Sequence, residues 1–161
     1  MSTLYSVQVK DIKGKDLDLH QFKGKKLMIV NVASECGFTQ QYAQLEELYN
    51  TYKDSLAILG CPCNEFGNQE PGDENDIQQF CTINFGVTFP LTQKISIISN
   101  PHPLYDWLCL EVNNGIRDFE VKWNFYKFLI QPDGSLYRCL SSLIEPMDDK
   151  VLEWVKVGYD N

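Results

Sequence analysis

From Leu27 to Val32 the chain reads LMIVNV, apolar or β-branched at every position but one. Such a run predicts a strand covered on both faces rather than one alternating between core and solvent. A second run, Leu56 to Gly60, predicts another buried strand. Between them, Gln40 to Tyr52 sets Tyr42, Leu45, Tyr49 and Tyr52 at helical spacing with Glu46 and Glu47 on the other side. Strand, helix and strand at this spacing predict a parallel unit with a crossover helix. Ahead of it, Ser6 to Leu19 holds two short alternating stretches around Lys13-Gly14-Lys15, which predicts an N-terminal hairpin. After it, Pro62, Gly67, Pro71 and Gly72 make Cys61 to Asp73 a loop, and Asp73 or Asn75 caps a helix reaching about Asn84. Ile95 to Ile98 predicts an irregular or short extended piece, and Pro103 opens a helix carrying Leu104, Trp107 and Leu108. Tyr126 to Ile130 and Ser135 to Leu140 predict strands joined by the turn Gln131-Pro132-Asp133-Gly134. Met147 to Val157 closes the chain as a helix with Asp148 and Asp149 at its favourable N-terminal end.

This order predicts an α/β protein: a mixed central sheet with helices on both faces, close to a thioredoxin-like arrangement, preceded by a β-hairpin. A chain of 161 residues, 43% hydrophobic and 22% charged, fits one domain spanning 1–161 with its own core. No run approaches the roughly 18 apolar residues of a membrane span, and Met1 to Lys10 lacks the apolar stretch and cleavage site of a secretory leader. No stable membrane association is expected. The net charge of -8 argues against nucleic acid and acidic membrane surfaces as partners, since both select for excess positive charge.

Six cysteines at this density and without a leader suit a reducing, cytoplasmic setting with mostly free thiols. Cys36 follows the first buried strand and precedes a helix. Reaction sites in open α/β sheets gather at that end of a strand, and unpaired N–H groups at a helix start favour a thiolate. An inert buried cysteine would equally fit this placement alone. Thr39 stands where a Cys-x-x-Cys dithiol would have its second sulfur, so oxidised Cys36 needs a partner from elsewhere, and disulfide-isomerase chemistry is disfavoured. Cys61 and Cys63 form a Cys-x-Cys pair, but with only His20 and His102 in the chain no four-ligand metal set is completed. No metal or other cofactor is expected.

Four segments, NVASECGFT (Asn31 to Thr39), CNEFGNQEPG (Cys63 to Gly72), FCTINFGVTFP (Phe80 to Pro90) and WNFYKFLI (Trp123 to Ile130), resemble the signature blocks of the glutathione peroxidase family in order and spacing. The resemblance implies that Cys36 is the peroxidatic residue, a cysteine where some members carry selenocysteine. It further implies that Gln69, Trp123 and Asn124 complete a catalytic tetrad. Their amide and indole N–H groups are neutral donors suited to a sulfur anion and to a departing oxygen. Glu65 departs from the family pattern, which usually has glutamine there. Cys81 falls in the block that, in thioredoxin-dependent members, holds the resolving cysteine. From a helix it must become accessible by local unwinding. Cys109 and Cys139 have only a structural reading.

The resemblance thus implies a thiol peroxidase that reduces hydrogen peroxide and organic or lipid hydroperoxides. Cys36 becomes a sulfenic acid, a Cys36–Cys81 disulfide follows, and a thioredoxin-type dithiol reduces it. Glutathione carries two carboxylates best held by arginine forks. With only Arg117 and Arg138 on an acidic chain, it is the disfavoured reductant. The shortness of the chain points to a monomer. A peroxide sensor that relays its oxidation to a partner protein would use the same cysteines.

Overall fold

A computed structural model describes residues 3–157. The N-terminal hairpin pairs β1 (Val9–Lys10) with β2 (Asp16–Leu17) in antiparallel register. Only two residues on each side join the ladder, because Asp11 takes the N–H groups of Lys13 and Lys15 on its carboxylate and turns the chain locally. The main sheet has four strands in the order β4-β3-β5-β6: β3 (Lys26–Val32), β4 (Leu56–Pro62), β5 (Lys127–Ile130) and β6 (Leu136–Leu140). β3 runs parallel to β4 and antiparallel to β5, so the sheet is mixed, as expected.

The apolar run of β3, interrupted only at Asn31 after Lys26, is explained by layers on both sides. Leu27 and Ile29 pack with Leu104, Tyr105, Trp107 and Leu108 of α3 (Pro103–Cys109). Met28, Val30 and Val32 face the opposite way, against Tyr42, Leu45 and Leu48 of α1 (Gln41–Tyr52). The same layer takes in Ile77 and Cys81 of α2 (Glu74–Phe85), and Val151, Trp154 and Val155 of α5 (Asp149–Lys156). The strand's period of two thus sorts its residues into two cores. A short α4 (Glu111–Asn114) follows α3 after a break at Leu110 and was not apparent in the sequence.

Capping matches the sequence where the chemistry is local. Asp73 and Asp76 form a reciprocal capping box on α2, and Asp148 caps α5. Lys26, almost fully buried, donates to the carbonyls of Trp154 and Val157 and thereby closes the negative end of α5. The stretch Ile95 to Ile98 is irregular, and Glu65 is the reason. Its carboxylate accepts the N–H groups of Ile97, Ile98 and Ser99 at 2.5, 2.9 and 2.9 Å. Burial alone would raise the Glu65 pKa, but these backbone donors override it and the net direction is down. The departure from the family's glutamine therefore serves as an anchor for that segment. Among the described residues no helix is long and apolar enough to cross a membrane, and no cluster of three or more His, Cys, Asp or Glu could hold a metal ion.

Candidate active site

Three loops meet at the carboxyl end of β3. The first, following β3, carries Cys36, which is 8% exposed. Its backbone is tied by Thr39: the Cys36 N–H donates to Thr39 Oγ1 at 2.9 Å, and that hydroxyl donates to the Ala33 carbonyl at 2.9 Å. The Thr39 N–H returns to the Cys36 carbonyl at 3.0 Å. This turn separates Cys36 from α1, which begins only at Gln41. The sulfur's hydrogen bond comes from inside the turn, from the Phe38 N–H at 3.4 Å. The sequence reading did not find this donor; a backbone N–H has no side-chain signature.

The second loop follows β4. Gly67 and Asn68 are both left-handed, at φ of +76° and +54°. They turn the chain so that the Gln69 carbonyl accepts the Glu35 N–H at 3.0 Å. Glu70, fully buried, accepts the Ser34 N–H at 3.2 Å and the Ser34 hydroxyl at 2.5 Å on one carboxylate oxygen. The loop is therefore fastened to the residues on the N-terminal side of Cys36.

The third loop precedes β5 and carries Trp123 and Asn124. Asn31 brackets it: its Nδ2 donates to the Trp123 carbonyl at 3.0 Å and its Oδ1 accepts the Tyr126 N–H at 3.0 Å. The Asn31 carbonyl accepts the Phe125 N–H at 2.6 Å. Phe125 sits at φ +65°, an uncommon conformation for a bulky side chain. It persists because its neighbours are fixed: the Ser142 hydroxyl holds the Asn124 carbonyl at 2.5 Å, and Lys127 Nζ holds the Phe125 carbonyl at 2.9 Å. Burial pushes the Lys127 ammonium down to about 7.

Asn124 closes the second loop onto the third. Its Nδ2 donates to the Phe66 carbonyl at 3.1 Å and to Gln69 Oε1 at 3.0 Å. Both amide hydrogens are thus engaged, and Gln69 is oriented with its oxygen toward Asn124 and its NH₂ free to point elsewhere. Trp123 is half-buried, with Phe66 edge-on at 6.4 Å between ring centroids. Three donors on one sulfur were the expectation. The structure brings Gln69, Trp123 and Asn124 together, but among the described residues none hydrogen-bonds the Cys36 sulfur. Asn124 in particular has its hydrogens committed to Phe66 and Gln69.

Gly67 is the tight point of this assembly. A Cβ there would come within 2.8 Å of the Trp123 ring and 3.3 Å of the Gln69 amide, at a backbone angle that side chains rarely adopt. We expect Gly67→Ala to cost about 1–3 kcal/mol and to lower peroxide turnover at least tenfold by displacing both side chains. Thermal unfolding and a peroxidase assay check it.

Cys81 lies in α2, 1% exposed, in the same core layer as Cys36. Burial pushes its thiol up to about 11, the Tyr42 hydroxyl acts against this, and the charge of Glu70 adds to it. Cys61 and Cys63 are buried near Tyr105, each pushed up by burial to about 12. All six cysteines are free thiols. The two histidines serve locally: His102 Nδ1 accepts the Leu104 N–H and caps α3, and His20 pairs with Asp18.

Residues 4–109 match the family model for glutathione peroxidase. The chain belongs to the glutathione peroxidase family. The matched stretch contains Cys36, Gln69 and Cys81, while Trp123 and Asn124 lie beyond it. The chain is similar to a glutathione peroxidase homolog, BsaA, of Bacillus subtilis, 49% identical over 136 residues, covering 83% of this chain and 85% of that protein. It is also similar to a glutathione peroxidase-like peroxiredoxin, HYR1, of Saccharomyces cerevisiae, 47% identical over 148 residues and 91% of each chain. Among solved structures, GPX1 of T. cruzi superposes with a TM-score of 0.72 at 31% identity, over 95% of this chain and 93% of that one. The family membership and the thioredoxin-like fold expected from the sequence both stand.

Proposed function

We propose that this family member is a thiol peroxidase whose peroxidatic residue is Cys36 and whose resolving residue is Cys81. The Cys36 thiolate attacks one oxygen of ROOH, the O–O bond breaks, and RO⁻ leaves to be protonated as alcohol or water. Cys36 is left as a sulfenic acid. The Cys81 sulfur then displaces its hydroxyl to form a disulfide, and a thioredoxin-type dithiol restores both thiols by exchange. Hydrogen peroxide and organic or lipid hydroperoxides are the substrates of this reading. The peroxiredoxin name of the yeast relative is in keeping with a protein-thiol cycle. The single observation that carries the proposal is the joining of three distant loops around Cys36, with Asn124 orienting the amide of Gln69. In this scheme Gln69 and Trp123 supply N–H groups to the oxygen that departs, the Phe38 N–H supports the sulfur, and Asn124 positions Gln69.

Cys81 must leave the core to react. α2 buries only Ile77 and Cys81 fully, with Phe80 and Phe85 partly buried against the same core, so reaching Cys81 requires this helix to open locally. We read the protein as a cytoplasmic monomer, from a net charge of -8 that sets copies of the chain against one another and from six cysteines that remain unjoined. The test is peroxide-dependent NADPH oxidation with thioredoxin and thioredoxin reductase, in parallel with glutathione and its reductase. Turnover with thioredoxin is expected to exceed that with glutathione by at least about tenfold, the two-carboxylate donor finding little positive charge to bind. Cys81→Ser is expected to consume one equivalent of peroxide and then stall with thioredoxin. Equal rates with glutathione, or sustained thioredoxin turnover by Cys81→Ser, would remove the resolving-cysteine cycle.

A further inference from the structure

A groove of about 650 Å³ opens beside the loop that bears Trp123. Phe66, Gly67 and Trp123 line it, and Ile97, Ile98, Leu110, Phe119 and Val121 supply the rest of its apolar surface. The size is that of a small-molecule site. Two of these side chains stand open to water, Ile98 at 60% and Leu110 at 42% exposure. Apolar side chains exposed around a concavity mark a surface that something covers.

The groove meets the active site at Trp123. Phe66 and Val121 belong to the core layer of α3, whereas Cys36 belongs to that of α1, and Trp123 packs against both. Gly67 shows how close the connection is: a Cβ there would meet the Trp123 ring at 2.8 Å and the Gln69 amide at 3.3 Å. The chemistry sets a direction. In a displacement at oxygen, the sulfur, the attacked oxygen and the departing oxygen lie nearly in line, so the R group of RO⁻ points away from Cys36. In the proposed cycle Gln69 and Trp123 hold that departing oxygen. The R group therefore starts at Trp123, where the groove opens. A second recess, beside Phe38 and Leu143, holds about 230 Å³ and touches neither Gln69 nor Trp123.

Charge narrows the class of R. Glu65, Asp106 and Glu120 line the groove against one cation, Lys122. The Glu65 carboxylate is fixed there by the N–H groups of Ile97, Ile98 and Ser99. A chain whose own carboxylate fell inside the groove would lose water and face like charges. We propose that this groove is the subsite for the alkyl chain of the hydroperoxide, and that it selects uncharged chains over those ending in a carboxylate within it. The inference rests on the reading of Cys36 as the peroxidatic residue with Trp123 at the departing oxygen.

The test compares second-order rate constants for oxidation of the reduced protein, by rapid mixing and mass spectrometry without thioredoxin. The oxidants are hydrogen peroxide, n-butyl and n-octyl hydroperoxide, and an octyl hydroperoxide ending in a carboxylate. The octyl compound should outrun the butyl by at least about tenfold, since each methylene taken from water is worth up to roughly fourfold. The carboxylate-ended chain should react at least about fivefold more slowly than the uncharged one. Ile98→Gln and Leu110→Gln together should lower the octyl-to-butyl ratio at least about fivefold. Both positions are exposed, so the variant folds. Leu143→Gln, at the other recess, should keep the wild-type ratio. Equal butyl and octyl rates in the wild type, or a ratio that falls in Leu143→Gln and not in the double variant, overturns the subsite while leaving Cys36 as the peroxidatic residue. So does a double variant that keeps the ratio but raises the KM for thioredoxin or breaks a dimer of the wild type, since the face would then be a protein contact. A carboxylate-ended chain as fast as the octyl compound overturns the selection. A wild type that consumes no hydrogen peroxide at Cys36 overturns the cycle and the subsite with it.

Discussion

Replacing Cys36 with serine is expected to lower thioredoxin-supported peroxide turnover by at least about 10³-fold, with little change in thermal stability. The chemistry requires an anion that attacks an O–O bond, and a hydroxyl remains protonated near neutral pH unless a base takes its proton. No base is placed on the side chain at this position: the hydrogen bond that it receives among the described residues comes from the Phe38 N–H, while His20 is paired with Asp18 and His102 caps α3. The Phe38 N–H, joined in the proposed scheme by the Gln69 amide and the Trp123 indole, can support a negative charge but cannot create one. Stability should hold because the turn depends on Thr39 and on the Glu35–Gln69 bond, none of which the substitution touches. A serine oxygen can also still accept the Phe38 N–H. Coupled turnover and a melting curve on the same preparation check both halves. Turnover within tenfold of the wild type would place the chemistry at another sulfur.

The parts of the molecule that were legible in the sequence are those whose signal is local or periodic. The run from Leu27 to Val32 announced a doubly covered strand, and the two core layers on either side of β3 confirm it. Pro103 marked a helix start that the structure contains, Asp73 rather than Asn75 proves to be the cap of α2, and the last helix begins at Asp149 rather than Met147, with Asp148 as its cap. Cys36, Gln69, Trp123 and Asn124 stood out through the four family-like blocks, since no spacing rule joins residues so far apart. What stayed hidden is what depends on packing. The hairpin shrinks to two paired residues per strand because Asp11 diverts the backbone donors of the turn. The role of Asn124 as a clamp on Gln69 follows only from where Phe66 presents its carbonyl. Glu70 falls in the stretch that reads as a loop; it is buried where Ser34 and Asn64 hold it. Asn31 looked like an interruption in a hydrophobic strand. It proves to be a bracket between that strand and the loop bearing Trp123 and Asn124.

That bracket makes Asn31 the position outside Cys36 where a single substitution is expected to do the most damage. Asn31→Ala removes the partner of the Trp123 carbonyl and of the Tyr126 N–H at once. Each backbone group left without a partner away from water costs about 1–3 kcal/mol, so the loss for the two is about 2–6 kcal/mol. For a chain of this size that is roughly 10 °C in melting temperature. The effect should not stop at stability. Phe125 keeps its left-handed backbone only while the residues around it are held. With one side of the bracket gone, the Trp123–Asn124 pair loses its register against Gln69, and the peroxide step should slow by at least about tenfold. Asn31→Asp separates the two contributions. It retains an oxygen for the Tyr126 N–H but sets a carboxylate against the Trp123 carbonyl, which a donor should face. It should therefore melt below the wild type and gain stability as the carboxyl is protonated, a pH response that Asn31→Ala lacks. Melting curves at pH 5 and 8, run beside single-turnover peroxide reduction, distinguish the cases. An Asn31→Ala protein that melts with the wild type and reacts at its rate would mean that the loop holds its shape through Lys127 and Ser142 alone.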